Sequence, residues 1–144
     1  MNLYIGSDHA GYQMKNLLKQ HLIDVGHDVV DIGAFSEDSI DYPDVAREVS
    51  EKVVENPGTF GVLVCGTGIG MQISANKVPG IRATVATDEN MAEMSRKHND
   101  ANVITLGGRT TSIEVAKKIV DKFLSTSFED EERHARRVKK MEKR

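Results

Sequence analysis

Short apolar runs alternate with stretches of helical periodicity along the whole chain. That alternation predicts a parallel sheet with helices on both faces. Residues 3–6 read as a first strand, and Met14, Leu17, Leu18, Leu22 and Val25 follow at helical spacing before Gly26, a natural stop. Residues 29–32 give a second strand. The polar run 33–41 leads to Pro43 at a first helical position, and a helix continues to about Glu55. Residues 60–65 form an apolar run bounded by turn signals; Gly66 to Gly70 then opens a helix that Pro79-Gly80 terminates. A fourth strand at 82–87, a helix at 89–98, a fifth strand at 102–106 and a helix at 112–124 complete the pattern. From about Asp130 a short charged helix carries a thin apolar stripe of Ala135, Val138 and Met141, and it needs a surface to dock on, which a neighbouring subunit could supply. The expected fold is therefore α/β: a Rossmann-like three-layer sandwich in one domain over 1–144, with a five-stranded parallel sheet and a C-terminal helical extension at about 130–144.

Composition excludes several roles. With 39% hydrophobic and 28% charged residues, and no apolar run near the roughly 20 residues that span a bilayer, a membrane role is not expected. Residues 1–6 lack the basic flank and apolar stretch of a secretory signal. The single cysteine can form no intrachain disulfide, which suits a reducing cytoplasm. Net charge is −3, but residues 133–144 hold seven Lys or Arg against one acid, so the remainder carries −9. That tail has no interleaved aromatics and belongs to an acidic chain, so nucleic acid is not expected as a partner.

In an open parallel sheet, ligands bind beyond the carboxyl ends of the strands. Ser7-Asp8-His9 follows strand one and Cys65-Gly66-Thr67-Gly68-Ile69-Gly70 follows strand three. Placed side by side, these strands would make one polar pocket. The glycine loop lets backbone N–H groups approach a ligand, and the field at the start of the following helix favours a thiolate and a developing oxyanion. A lone cysteine is more often a buried structural thiol; its strand-end position before this loop favours chemistry. Dinucleotide binding is weakened because Met71 stands where the third small residue of the fingerprint should pack. A cysteine phosphatase would need Arg six residues after the nucleophile, and Met71 occupies that place too. Proton transfer beside an oxyanion site fits the thiolate, the N–H donors and the Thr67 hydroxyl.

His9, at the end of strand one, and His98-Asn99-Asp100, before strand five, read as polar loops, whereas His21 and His27 lie on or just after the first helix, where packing or surface roles are expected. The histidine spacing matches no metal-ligand pattern, and no metal is expected. Arg109 follows Gly107-Gly108, and Arg133 and Arg137, four apart, share a helix face. Three arginines near a pocket would clamp a phosphate.

These residues resemble a known family, the ribose-5-phosphate isomerases of type B with the related galactose-6-phosphate isomerase subunits. The resemblance covers nearly the whole chain. It rests on Ser7-Asp8-His9-Ala10-Gly11, Asp41-Tyr42-Pro43, Cys65-Gly66-Thr67-Gly68-Ile69-Gly70, Ala75-Asn76-Lys77, Gly80-Ile81-Arg82-Ala83, His98-Asn99-Asp100-Ala101-Asn102 and Arg133-His134-x-x-Arg137. It implies no metal or other cofactor, and a homodimer or dimer of dimers with active sites at the subunit interface. The implied reaction converts ribose 5-phosphate to ribulose 5-phosphate, with allose 6-phosphate or galactose 6-phosphate as the alternative. Cys65 would move the proton between C2 and C1, with Thr67 and the N–H groups of Gly66, Gly68, Ile69 and Gly70 stabilising the enediolate. His98 would assist ring opening and Asp8 proton movement among the hydroxyls. His9, Arg109, Arg133 and Arg137 would hold the phosphate, with Tyr42 and Asn99 on the sugar. Some relatives replace the cysteine and carry Glu after the last loop glycine; here Cys65 is present and Met71 stands in that place. Residues 35–40 and the acidic run 129–132 have no role that the sequence explains.

Overall fold

The computed structural model describes residues 1–143; Arg144, the last basic residue of the tail, lies outside them. Five strands, β1 (Asn2–Ser7), β2 (Asp28–Gly33), β3 (Phe60–Cys65), β4 (Ala83–Val85) and β5 (Val103–Gly107), alternate with helices α1 (Tyr12–Asp24), α2 (Tyr42–Glu55), α3 (Ile69–Ala75), α4 (Glu89–Asn99) and α5 (Ile113–Ser125), and α6 (Glu132–Met141) ends the chain. All strand pairs are parallel, in the order β2-β1-β3-β5-β4. The expected three-layer α/β architecture is the one observed.

Two apolar cores lie on the two faces of the sheet. Leu18, Leu22, Ala92, Ile119 and Phe123 of α1, α4 and α5 pack on Ile5, Val62 and Ile104, while Val45, Val49, Val53, Met71 and Ala75 of α2 and α3 pack on Leu63, Cys65 and Val103. The central strand β3 is buried on both faces, so it reads as an unbroken apolar run. No helix among the described residues is long and apolar enough to cross a membrane.

Several boundaries move, for local reasons. α3 ends at Ala75, well before Pro79, because the next side chain, Asn76, turns to β4: its amide donates to the Ala83 carbonyl and accepts the Ala83 N–H, at 2.9 and 2.8 Å. β4 is only three residues long, since the Arg82 N–H is taken by the Asn102 side chain at 2.8 Å. In α1 the buried face is Met14, Lys15, Leu18 and Leu22, whereas Leu17 is 51% exposed and Val25 falls beyond the helix end.

Lys15 is the unexpected member of that face. Its side chain is 1% exposed, and its ammonium donates to both carboxylate oxygens of Asp31 at 3.0 and 2.9 Å and to the Ala34 carbonyl, with Lys19 adding a contact to Asp31 at 3.3 Å. Burial pushes the Asp31 carboxyl up, but hydrogen bonds from Lys15 and the Gly33 N–H and the Lys15 charge outweigh it and hold the group below its ordinary value. Removing Lys15 leaves the Asp31 carboxylate only the longer Lys19 contact and the Gly33 N–H, so Lys15→Met should lower stability in urea at pH 7 by about 3 kcal/mol. Because the folded-state value of Asp31 is depressed, its contribution is present above about pH 4 and is lost as pH falls through that depressed value. The gap between wild type and Lys15→Met should therefore narrow on acidification; a gap that stayed constant would show that Asp31 is not the group involved.

Candidate active site

The pairing of β1 with β3 places the two strand-end motifs side by side. The connections from these strands leave in opposite directions, β1 toward β2 and β3 toward β4, which makes their carboxyl ends the switch point of the sheet. An open cleft of about 430 Å³ lies there, lined by Asp8, His9, Tyr42, Cys65, Gly66, Thr67, Ile69, Gly70 and Arg109, with Ala10 and Ile73 completing the wall. Ten of the fourteen site residues expected from sequence are thus in one place, Gly68 beneath the loop included.

Cys65, 5% exposed, ends β3, and its sulfur accepts the Gly68 N–H at 3.1 Å. That bond depends on Gly68 adopting φ 81°, where an added Cβ would lie 2.9 Å from the Leu106 carbonyl carbon, so only glycine fits without strain. The Gly68 carbonyl is in turn pinned by the buried Thr105 hydroxyl at 2.8 Å. The Thr67 hydroxyl oxygen accepts the Ile69 N–H at 3.3 Å, leaving the hydroxyl proton to be donated outward. Two loop N–H groups are therefore engaged internally, while those of Gly66, Thr67 and Gly70 have no acceptor among the described residues. The loop offers three backbone donors and one hydroxyl around a hydrogen-bonded sulfur.

Side chains from neighbouring loops fix the rim. Asp8, 6% exposed, accepts the Gly11 N–H at 3.0 Å, and the His9 Nδ1 accepts the Ile40 N–H at 3.3 Å. The Tyr42 ring lies against Gly70 so closely that a Cβ there would fall 2.5 Å from it. The Arg109 N–H donates to the Gly66 carbonyl at 3.0 Å, holding this residue beside the loop. Segment 35–40 acquires a place here: Lys15 fixes its start at Ala34, and Ile40 ends it on His9. Gln72 is a positioning residue that sequence reasoning missed. Its side-chain oxygen accepts the Val85 N–H, and with Asn76 it ties the helix behind the glycine loop to the free edge of β4.

His98, Asn99, Arg133 and Arg137 are elsewhere. α4 runs back toward the amino ends of the strands, so His98 lies in its last turn, not in a loop, and Asn99 is its final residue, just before β5 begins at Val103. Cys65 is level with Gly107 at the other end of β5, and the four residue steps between span about 13 Å. Arg96 locks this corner: its guanidinium donates to Asp100 at 2.8 Å, to Ala101 at 2.6 Å and to Thr126 at 3.2 Å, and lies over the Phe60 ring.

The tail helix finds a docking surface on its own chain. α6 packs on α4, and Glu142 closes the contact on Arg82 at 2.6 Å. The residue it buries is His134, whose ring stacks on His98 with centroids 4.5 Å apart, while Ala135 and Val138 are half-buried and Met141 is 52% exposed. The acidic run acquires a structural reason as well. The Glu129 N–H donates to the Lys97 carbonyl at 3.0 Å, and Glu131 and Glu132 occupy the N-terminus of α6, where the helix dipole favours negative charge. Arg133 and Arg137 flank His134 and are exposed. Thus Arg109 alone of the three arginines lines the Cys65 cleft.

Ligand atoms of His98, Glu129 and His134 lie within 4.8 Å of one another. The two imidazole planes are only 12° apart, so their in-plane lone pairs run side by side and do not meet at one point. That is the geometry of a packed pair, not of a chelate.

A family model described as Ribose/Galactose Isomerase matches residues 3–141. The ribose-5-phosphate isomerase B of Escherichia coli K12 is 42% identical over 133 residues, covering 92% of this chain and 89% of that protein. Among solved structures, the ribose-5-phosphate isomerase B of Clostridium thermocellum superposes with a TM-score of 0.93 at 46% identity, covering 99% of this chain and 95% of its own. The enzyme of the same name from Mycoplasma genitalium, solved with bound ribulose-5-phosphate, superposes with a TM-score of 0.93 at 40% identity, covering 98% and 93%. A match to residues 3–141, with a relative 42% identical over 89% of its own length, shows that the chain belongs to the ribose/galactose isomerase family.

Proposed function

We propose that the chain interconverts ribose 5-phosphate and ribulose 5-phosphate through an enediolate, with Cys65 as the base. The observation that carries this reading is the Cys65 sulfur, hydrogen-bonded at 3.1 Å to Gly68 and ringed by free N–H donors and the Thr67 hydroxyl. The names of the relatives supply the five-carbon substrate.

The Cys65 thiolate removes the proton from C2 of the open-chain aldose, and the electron pair moves through the forming C1–C2 double bond onto the aldehyde oxygen. Thr67 and the N–H groups of Gly66, Thr67 and Gly70 stabilise the resulting oxyanion; one such donor is worth about 3 kcal/mol in the transition state. Asp8 relays the C2 hydroxyl proton toward O1. The Cys65 thiol then returns its proton to C1 as the carbonyl forms at C2. Every step draws on side chains and backbone of the protein alone. Tyr42 and Asn99 contact the sugar, and His9, Arg109, Arg133 and Arg137 hold the phosphate.

His98 opens the furanose ring by proton transfer at the ring oxygen. Groups acting on adjacent substrate atoms must each come within about 3 Å of them, and Cys65 and His98 of one chain are separated by the length of β5. This supports a site completed by a second copy, with the Cys65 end of one subunit facing the His98 end of the other.

The test is an assay of purified protein in excess EDTA with ribose 5-phosphate, allose 6-phosphate and galactose 6-phosphate offered separately. Ketose should form fastest from ribose 5-phosphate. No ketose from any of the three would overturn the isomerase reading, and preference for a six-carbon sugar would overturn the assigned substrate.

A further inference from the structure

α6 is strongly charged, yet the residue it buries is His134, 4% exposed, between the exposed Arg133 and Arg137. Its Nε2 has no hydrogen-bond partner among the described residues. An unpaired buried nitrogen carries a desolvation cost that an apolar ring in the same place would not. Simple anchoring of the helix therefore does not account for histidine here. What the ring touches is the face of His98, nearly parallel at 12° and 4.5 Å between centroids. Ring torsions of histidine are broad and roughly two-fold, so a half-buried imidazole with no flat neighbour would sample many orientations. A buried platform against one face removes that freedom.

We propose that His134 is a positioning residue for His98, holding its imidazole at the orientation from which a proton passes to and from the sugar ring oxygen. Being buried, His134 acts through His98 and does not touch substrate. The inference rests on the ring-opening role proposed for His98.

Chemistry supplies the test. In ribulose 5-phosphate the O5 oxygen is esterified, so the ketose has no furanose ring to open, and reaction from the ketose side proceeds without that step. α6 also carries Arg133 and Arg137. Mere loosening of the helix would thus weaken phosphate binding in both directions, whereas a misaligned His98 would slow only the reaction from cyclic ribose 5-phosphate.

Initial rates at saturating substrate, which unlike kcat/KM are not tied together by the equilibrium constant, should be measured in both directions for wild type, His98→Asn, His134→Ala, His134→Phe and the double variant His98→Asn/His134→Ala. We expect His98→Asn to lose roughly a hundredfold from ribose 5-phosphate, and His134→Ala roughly tenfold, with both close to wild type from ribulose 5-phosphate. His134→Phe, which keeps a flat ring and deletes the unpaired nitrogen, should recover most of the loss. Adding His134→Ala to His98→Asn should cost nothing more, since the residue acts only through its neighbour. Equal losses in both directions for His98→Asn would remove the ring-opening role itself. If His98→Asn is selective but His134→Ala slows both directions alike, or adds its full loss in the double variant, the positioning role alone is overturned.

Discussion

Cys65→Ala should reduce isomerisation by roughly a thousandfold, within the range that a positioned proton-transfer group contributes, while leaving the fold and phosphate-ligand binding intact. The asymmetry follows from where the sulfur sits. Cys65 is buried at the end of β3, but the one hydrogen bond to its sulfur among the described residues is from the Gly68 N–H, and Gly68 is independently held by Thr105 and by its own left-handed backbone. Deleting the sulfur removes one small apolar contact and should cost about 1 kcal/mol of stability. Cys65→Ser is the sharper variant, because a hydroxyl preserves the bond to Gly68 but does not ionise near neutral pH. It should be nearly as inactive as Cys65→Ala, with the same melting temperature as wild type. Turnover near the wild-type level in either protein would remove Cys65 from the mechanism.

The chain's architecture was legible wherever burial repeats along a single element. β3 is covered on both faces and is apolar throughout; α2 shows Val45, Val49 and Val53 on one stripe. Legibility failed where a polar group is buried by a distant partner. Lys15 reads as a surface residue until Asp31, on the next strand, comes within 3.0 Å, and Leu17 was accordingly assigned to a face it does not occupy. The same cause shortened α3 and β4, since the Asn76 amide turns to Ala83 and the Asn102 side chain takes the Arg82 N–H.

At the cleft, contiguous motifs were readable because one loop holds them. Cys65 to Gly70 is a strand end, a turn and a helix start in unbroken order, and Asp8 and His9 join it through a strand pairing that parallel topology makes natural. The order of residues along the chain does not reveal that α4 returns His98 to the opposite end of the sheet, about 13 Å away along β5. Nor does it mark His134 as the buried member of its motif, since the arginines around it draw attention by charge. Residues 35–40 lacked an expected role for a similar reason: their contacts to Lys15 and His9 join segments far apart in the chain.

That separation makes the central claim directly testable: one active site is assembled from the Cys65 end of one subunit and the His98 end of another. In a two-fold dimer of this kind, a heterodimer of Cys65→Ala with His98→Asn has one site carrying both substitutions and one carrying neither. Random reassortment makes half of the dimers hybrids, each with one intact site of two, so about one quarter of the wild-type rate should return. The decisive measurement is ketose formation from cyclic ribose 5-phosphate after the two variants are mixed, dissociated in mild denaturant and reassociated. Recovery from near zero to about one quarter of wild type is the predicted result; a mixture no more active than the average of its two parents would contradict a shared site.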